Sequence, residues 1–119
     1  MSDRVFGALA RFEARLTTRR YLVGDAVTDA DILLYVSLVR FDLVAVPLAR
    51  LNRRRLVDHP NLWAYARDLY QRPAFRDATN WEHLRVGTYR TTLGGNVARI
   101  VPDGPVEDWD APAGREALP

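Results

Sequence analysis

The spacing of apolar residues along the chain predicts a succession of amphipathic helices. One stripe, with intervals of four, three and four residues, predicts a helix from Ser2 to about Thr18 and consists of Val5, Leu9, Phe12 and Leu16. A second stripe predicts a helix with Pro60 in its first turn and its end at Pro73, and consists of Leu62, Tyr65, Ala66 and Leu69. After a short turn at 73–75, a last helix of two or three turns is expected from Asn80 to about Tyr89.

A capping box opens the helix that the pattern places at the centre of the fold. Thr28 is followed three positions later by Asp31, so each side chain can bond the other residue's backbone amide. Val27 and Ile32 flank the box and are expected to form a hydrophobic staple. The following residues, 32–39, are apolar nearly all round, which predicts a core helix packed on several sides.

The chain changes character near its C-terminus. From Thr91 onward it is punctuated by turn-forming residues, namely Gly94, Gly95, Pro102, Gly104, Pro105, Pro112 and Gly114. This stretch predicts a tail that either lies ordered on the surface or is partly mobile. Because no segment of convincing length has the two-residue period of a strand, the sequence predicts an all-α protein with four or five helices in residues 1–90 and the tail in 91–119.

Composition excludes several kinds of chemistry. The 119 residues suit one domain, and the absence of cysteine rules out disulfides, thiolate metal sites and a cysteine nucleophile in this chain. All 17 basic residues are arginine, which also rules out a lysine Schiff base. No apolar run approaches the roughly 20 residues that span a bilayer, and the first residues lack the core of a signal peptide. We therefore expect a soluble, cytoplasmic protein that does not bind membranes.

The basic residues form one dense cluster on the connector 48–58, which contains Arg50, Arg53, Arg54 and Arg55. Such a cluster can bind phosphates. The net charge is only +2, however, and no aromatic residues are interleaved with these arginines. The pattern favours a solvated loop over a nucleic-acid interface.

The two histidines carry no recognisable catalytic or metal-binding pattern. His59 lies in a predicted loop and His83 on a polar helix face, and neither has a glycine-flanked serine or a ligand at metal-binding spacing. Both are expected at the surface. The sequence thus assigns no catalytic residue and no metal site.

Three other residues are candidates for lining a ligand site. Arg40 and Asp42 interrupt the apolar run at the end of the core helix, where buried charges need partners. A structural role is favoured for this pair, with a site-lining role as the alternative. Tyr89 lies where the last helix meets the tail, a place typical of a pocket rim, whereas the core is expected to hold Tyr35, Tyr65 and Tyr70.

Several motifs resemble a known family. The stretch Tyr21–Gly24 followed by the capping box resembles the C-terminal helical domain of glutathione transferases. Further segments narrow the resemblance to the glutathionyl-hydroquinone reductases, also called Xi-class or omega-like transferases: Leu38–Asp42, Asn52 with Arg54, Pro60–Gln71, Ile100–Pro105, Asp108 with Asp110, and Ala111–Glu116. The resemblance runs from about residue 6 to 116 and covers only that helical domain. It implies a glutathione-transferase C-terminal-like bundle with an irregular tail.

The resemblance also implies a chemistry that is incomplete in this chain. Members reduce S-glutathionyl hydroquinones with a cysteine of a thioredoxin-like domain, so glutathione or another thiol is implied by the family only. Helical-domain tyrosines hold the quinol oxygen, one of them in a His-Tyr-Tyr trio that here reads Gly87-Thr88-Tyr89. The residues of the scaffold are kept, while the histidine and the first tyrosine of the trio are replaced and only its second tyrosine, Tyr89, remains.

Three functions follow as hypotheses. The first is a non-catalytic binding or assembly module, truncated to the helical domain, whose inter-domain face is covered by self-association or by a thioredoxin-like partner. The second is the substrate-side half of a split reductase whose cysteine lies on a separate chain. The third is a site for a small aromatic ligand near Arg40, Asp42 and Tyr89.

Overall fold

The computed structural model describes residues 2–91 and 100–119, and the described residues form helices and no strand. The fold is all-α, as predicted. The described part of the chain contains five α-helices, in chain order α1 Ser2–Arg15, α2 Asp29–Val39, α3 Pro60–Tyr70, α4 Pro73–Ala78 and α5 Thr88–Thr91. Shorter helical segments join them, a π-helical turn at Phe41–Ala45, a 3-10 turn at Leu56–Asp58 and a second π-helical turn at His83–Gly87.

Helix α3 is the best-buried element of the core. Pro60 occupies its first turn, and the whole predicted stripe from Leu62 to Leu69 is completely buried. Helix α1 supplies the cap, since the Glu13 carboxylate accepts the amides of Asn61 and Leu62, each at 2.9 Å. This carboxylate satisfies two amide donors at the positive end of the α3 dipole. The two predicted helices therefore support each other directly.

The capping box of α2 forms as predicted, but the helix is not buried on all sides. Thr28 N donates to Asp31 Oδ2 at 2.9 Å, and Val27 packs against the core. Ile32 does not complete the expected staple, because 47% of its surface is exposed. Only one side of α2 faces the core, so the expectation of a helix packed all round was wrong.

Two local expectations also need correction. The residues after Pro73 form the short helix α4 rather than a turn, with Pro73 at its first position. The last helix is interrupted by the π-helical turn His83–Gly87 before α5. Six residues and a single wide turn are too short to leave a readable apolar period, and so the sequence pattern missed both.

The tail residues 100–119 lie against the helices as an irregular segment. Trp109 is buried in the main core, and Gln71, which follows α3, donates from Nε2 to the carbonyls of Trp109 at 3.0 Å and Ala111 at 2.7 Å. Arg115 is also buried and donates from Nη2 to the carbonyl of Leu16 at 3.0 Å. This part of the tail shares the helices' core, while Gly94 and Gly95 lie outside the described residues.

None of the helices described in residues 2–91 and 100–119 is long and apolar enough to cross a membrane.

Candidate binding cavity and helix face

Asp31 of the capping box is a buried structural anchor. It is completely buried, and its carboxylate accepts hydrogen bonds from Thr28 N at 2.9 Å, Leu22 N at 3.0 Å, the hydroxyl of Tyr65 at 2.7 Å and the hydroxyl of Thr28 at 3.5 Å. Burial and the bond to the Asp31 carboxylate raise the pKa of Tyr65, which keeps its hydroxyl a donor. These contacts tie the 21–28 loop, α2 and α3 together.

The Asp42 carboxylate is likewise bonded to backbone amides. Its side chain is buried, and its two oxygens accept the amide of Leu56 at 2.5 Å and that of Val57 at 3.4 Å. It thereby caps the 3-10 turn Leu56–Asp58. Glu107 of the tail lies against it, and burial together with the bond to Asp42 raises the pKa of Glu107 to about 8.

Tyr89 lies inside the protein. Its side chain is buried, its hydroxyl donates to the carbonyl of Leu43, and burial raises its pKa. The prediction placed Tyr89 on a pocket rim together with Arg40 and Asp42. The structure does not bring the three to one described cavity, since Arg40 and Asp42 line different cavities and Tyr89 lines neither.

A cavity of about 750 Å³ lies between α2, α4 and the last helix, which consists of the π-helical turn His83–Gly87 and α5. Its apolar walls include Ile32 and Val36 of α2, Phe75 of α4 and Leu84. Gly87 also lines it, and a Cβ at that position would meet no other part of the described chain within 4 Å. A volume of this size suits a small organic ligand.

The polar groups of this cavity are donors rather than acids. Arg40 lies on its wall, exposed, with Nη1 donating to the carbonyl of Val36 at 2.9 Å. Asn80 and His83 also line it, and no described lining residue is an aspartate or glutamate. The buried hydroxyl of Tyr35 lies 2.6 Å from Thr79 Oγ1, which itself donates to the Phe75 carbonyl. The Tyr35 hydroxyl therefore donates its proton to Thr79 and does not offer it to a ligand.

An exposed apolar face on α2 borders this cavity. Ile32, Leu33 and Val36 are 47%, 72% and 47% exposed. Ile32 and Val36 also line the cavity, whereas Leu33 does not. We call these three residues the α2 apolar face. Adjacent exposed apolar residues of this size are typical of a surface that another molecule covers.

The remaining candidate groups divide between the interior and the surface. His59 is buried, with Nδ1 2.8 Å from the carbonyl of Arg55, so the expectation of a surface residue was wrong. His83 is exposed, as expected, and lines the cavity. No group of three or more metal-ligating side chains occurs within the part of the chain that the structure describes.

Three of the four arginines in the cluster make contacts at the protein surface. Arg53 pairs with Asp3 at 2.8 Å, Arg55 pairs with Asp58 at 3.4 Å, and Arg54 donates to the Asp58 carbonyl. These surface contacts match the solvated-loop interpretation.

Sequence reasoning missed most of the cavity. Phe75 was assigned to a turn, yet it lies in α4 and forms one wall together with Thr79, the residue that follows α4. The exposed face was missed because hydrophobicity on every side of a helix is equally consistent with burial. One sequence feature could have indicated the cavity, namely Gly87, which stands where the family resemblance implies the histidine of the His-Tyr-Tyr trio. A smaller residue there opens space.

Comparisons with known proteins agree with the helical fold. The family model of the glutathione S-transferase C-terminal domain matches residues 1–68. The glutathionyl-hydroquinone reductase YqjG of Escherichia coli is 40% identical over 113 residues, which make up 95% of this chain and 34% of that protein. Its glutathione-bound structure superimposes with a TM-score of 0.92 at 39% identity, covering 98% of this chain and 38% of that one.

A Xi-class glutathione transferase from Natrialba magadii gives a TM-score of 0.94 at 38% identity, covering 98% of this chain and 37% of that one. The chain thus spans about a third of the length of the relatives it matches.

Proposed function

Because the chain belongs to the family of glutathione S-transferase C-terminal domains, we propose that it is a helical binding and assembly module that performs no chemistry by itself. The observation that carries this proposal is the α2 apolar face, whose three large side chains are exposed side by side. An apolar face of this kind is stabilised when a second surface removes it from water.

The polar residues predicted for a substrate site support the same proposal. The Asp42 carboxylate caps a backbone turn, and the Tyr89 hydroxyl is bonded to a carbonyl. The chain contains no cysteine. In the family that it resembles, a cysteine of a thioredoxin-like domain performs the reaction, so this chain would contribute a surface and a cavity rather than a nucleophile.

The covering surface is either a second copy of this chain or a thioredoxin-like domain. We test the proposal with Leu33→Glu, because Leu33 is the most exposed residue of the face and does not line the cavity. In sedimentation velocity, the unmodified chain is expected to associate with itself or with the thioredoxin-like domain of a glutathionyl-hydroquinone reductase added in excess. Leu33→Glu should abolish that association without lowering the melting temperature.

The matched control is Ala10→Glu, which places the same charge on an exposed position of α1. It should associate like the unmodified chain. A chain that stays monomeric and binds no thioredoxin-like domain would refute the proposal, as would reduction of a glutathionyl hydroquinone by the chain alone.

A second candidate is the substrate-side half of a glutathionyl-hydroquinone reductase. It is favoured by the position of the 750 Å³ cavity directly beside the α2 apolar face, where a docked domain would border the ligand. Under this candidate, the mixture of this chain with a cysteine-bearing thioredoxin-like domain reduces a glutathionyl hydroquinone, and neither component does so alone. Association without activity would leave the module as the better description.

A further inference from the structure

The charge distribution of the cavity indicates which chemical class of ligand it would take. Among the described lining residues there is one side chain with a permanent charge, Arg40, and there is no carboxylate. Arg40 forms no ion pair among the described residues and uses Nη1 alone in a bond to a carbonyl. The rest of its guanidinium is available to a ligand, with a fork geometry that matches a carboxylate.

The other polar groups of the lining point to the same ligand chemistry. Asn80 Oδ1 accepts the amide of His83 at 3.0 Å, while its Nδ2 has no acceptor in the described chain. The His83 ring is exposed beside it. The proton of Tyr35 is committed to Thr79 and that of Thr79 to a carbonyl, so this pair offers no donor. The donors that remain, Arg40 foremost, favour an acceptor-rich anionic group.

The apolar part of the lining indicates which non-polar group the ligand would carry. Phe75, Leu84, Ile32 and Val36 present a mixture of aromatic and aliphatic surface. Flat aromatic rings bury much apolar area with little loss of conformational entropy. Among the described residues, no side chain other than those of its two chain neighbours lies within 4 Å of a Cβ built on Gly87, which leaves room for a ring beside it.

We propose that the cavity between α2, α4 and the last helix binds an aromatic carboxylate, with Arg40 contacting the carboxylate and the apolar walls contacting the rings. This inference rests on the proposed function, because it supplies the ligand of the module. It does not depend on what covers Leu33, since Leu33 lies outside the cavity.

The test compares three probes with one ring system and different charges. Binding of 2-naphthoate, neutral 2-naphthol and cationic 2-naphthylmethylammonium is measured by isothermal titration calorimetry at pH 7 on the Leu33→Glu chain. That background removes association through the α2 apolar face. The naphthoate is expected to bind roughly two- to fivefold more tightly than the naphthol, the range for a solvent-accessible charge-assisted pair. The ammonium should bind most weakly.

Substitutions test the charged part and the apolar part of the site separately. Arg40→Gln should reduce naphthoate binding to the level of naphthol and leave naphthol binding unchanged, while Arg40→Lys should restore part of the preference. Gly87→Leu should weaken both probes because its side chain occupies the open space. The matched control is Arg11→Gln, an exposed arginine of α1 outside the cavity, which should change neither.

The outcomes separate this inference from the proposed function. Absence of naphthoate binding, equal affinity for naphthoate and naphthol, or an unchanged preference in Arg40→Gln would overturn the ligand class. None of these results bears on whether the α2 apolar face associates, which sedimentation measures separately. Conversely, a chain that remains monomeric yet prefers naphthoate would refute the assembly proposal alone.

Discussion

Asp31 shows how a recognisable local motif can be part of a larger buried network. The spacing Thr28-x-x-Asp31 predicts one contact of its carboxylate, the bond to Thr28 N. The structure adds the amide of Leu22 and the hydroxyl of Tyr65, which lie 9 and 34 residues away in the chain. No local pattern reveals these two donors. Asp31 is therefore a tertiary anchor as well as a helix cap.

We predict that Asp31→Ala is among the most destabilising single substitutions in the chain. It leaves the amides of Leu22 and Thr28 and the hydroxyl of Tyr65 without their acceptor at a completely buried position, at a cost of about 3–4 kcal/mol in the free energy of unfolding. The measurement is urea denaturation followed by circular dichroism. The control is Asp29→Ala, which removes an exposed carboxylate from the same helical turn and should cost less than about 1 kcal/mol. Equal losses for the two variants would contradict the anchoring role.

At the scale of elements, the tail is joined to the helices partly through a pair of carboxyl groups. Glu107 Oε2 is buried and receives no hydrogen bond from any described residue, and Asp42 beside it already accepts two amides. Burial and Asp42 raise the pKa of Glu107 from its ordinary value of 4.5 to about 8, with Asp58 acting in the same direction and Arg55 against it. At neutral pH the protonated Glu107 can donate to Asp42.

This pair predicts a pH dependence of stability with a definite sign. Between pH 4.5 and about 8 the folded chain holds a proton that the unfolded chain has released, so the Glu107 contribution is lost as pH rises through that window. Because Glu107 is only half-buried, we expect a loss of about 1–2 kcal/mol by pH 9. Glu107→Gln keeps a neutral donor and should remove this loss. The measurement is the free energy of unfolding of both chains at pH 5, 7 and 9.

The control for this titration is Glu116→Gln, which neutralises an exposed carboxyl of the same tail. It should follow the pH profile of the unmodified chain. If the Glu107→Gln profile also runs parallel to that of the unmodified chain, the carboxyl pair does not link the tail to the helices.

The helices could be predicted where they depend on the spacing of residues that are close in the sequence. The stripe of α3 and the box of α2 depend on spacing within one helix, and both were found in the sequence. The exposure of Leu33 depends instead on which surfaces pack against α2. Likewise, the cavity is lined by residues from α2, α4 and the last helix, which are distant in the sequence. The sequence suggested a site-lining role for Arg40 but not for the other residues around this cavity. Tertiary contacts decided the features that the sequence could not show.

For the whole molecule, the central question is whether the tail and the helices form one cooperative unit. Trp109 packs among three aromatic rings of the helical part, with centroids 4.8 Å from Trp63, 5.6 Å from Tyr70 and 5.1 Å from Trp81. Nearer the chain end, Arg20 N donates to the carbonyl of Pro119 at 2.9 Å. Contacts distributed along the segment in this way favour a shared transition over a tail that detaches early.

We therefore predict that the tail and the helices unfold together. Tryptophan fluorescence, which reports the aromatic cluster with Trp109, and far-ultraviolet circular dichroism, which reports the helices, should give the same urea midpoint. Trp109→Ala should lower both midpoints together, at a cost of about 3 kcal/mol for removing a buried indole. The control is Val106→Ala, since 95% of that side chain is exposed and its loss should change neither midpoint. A fluorescence midpoint well below that of circular dichroism would instead show that residues 100–119 are a separate, weakly attached segment.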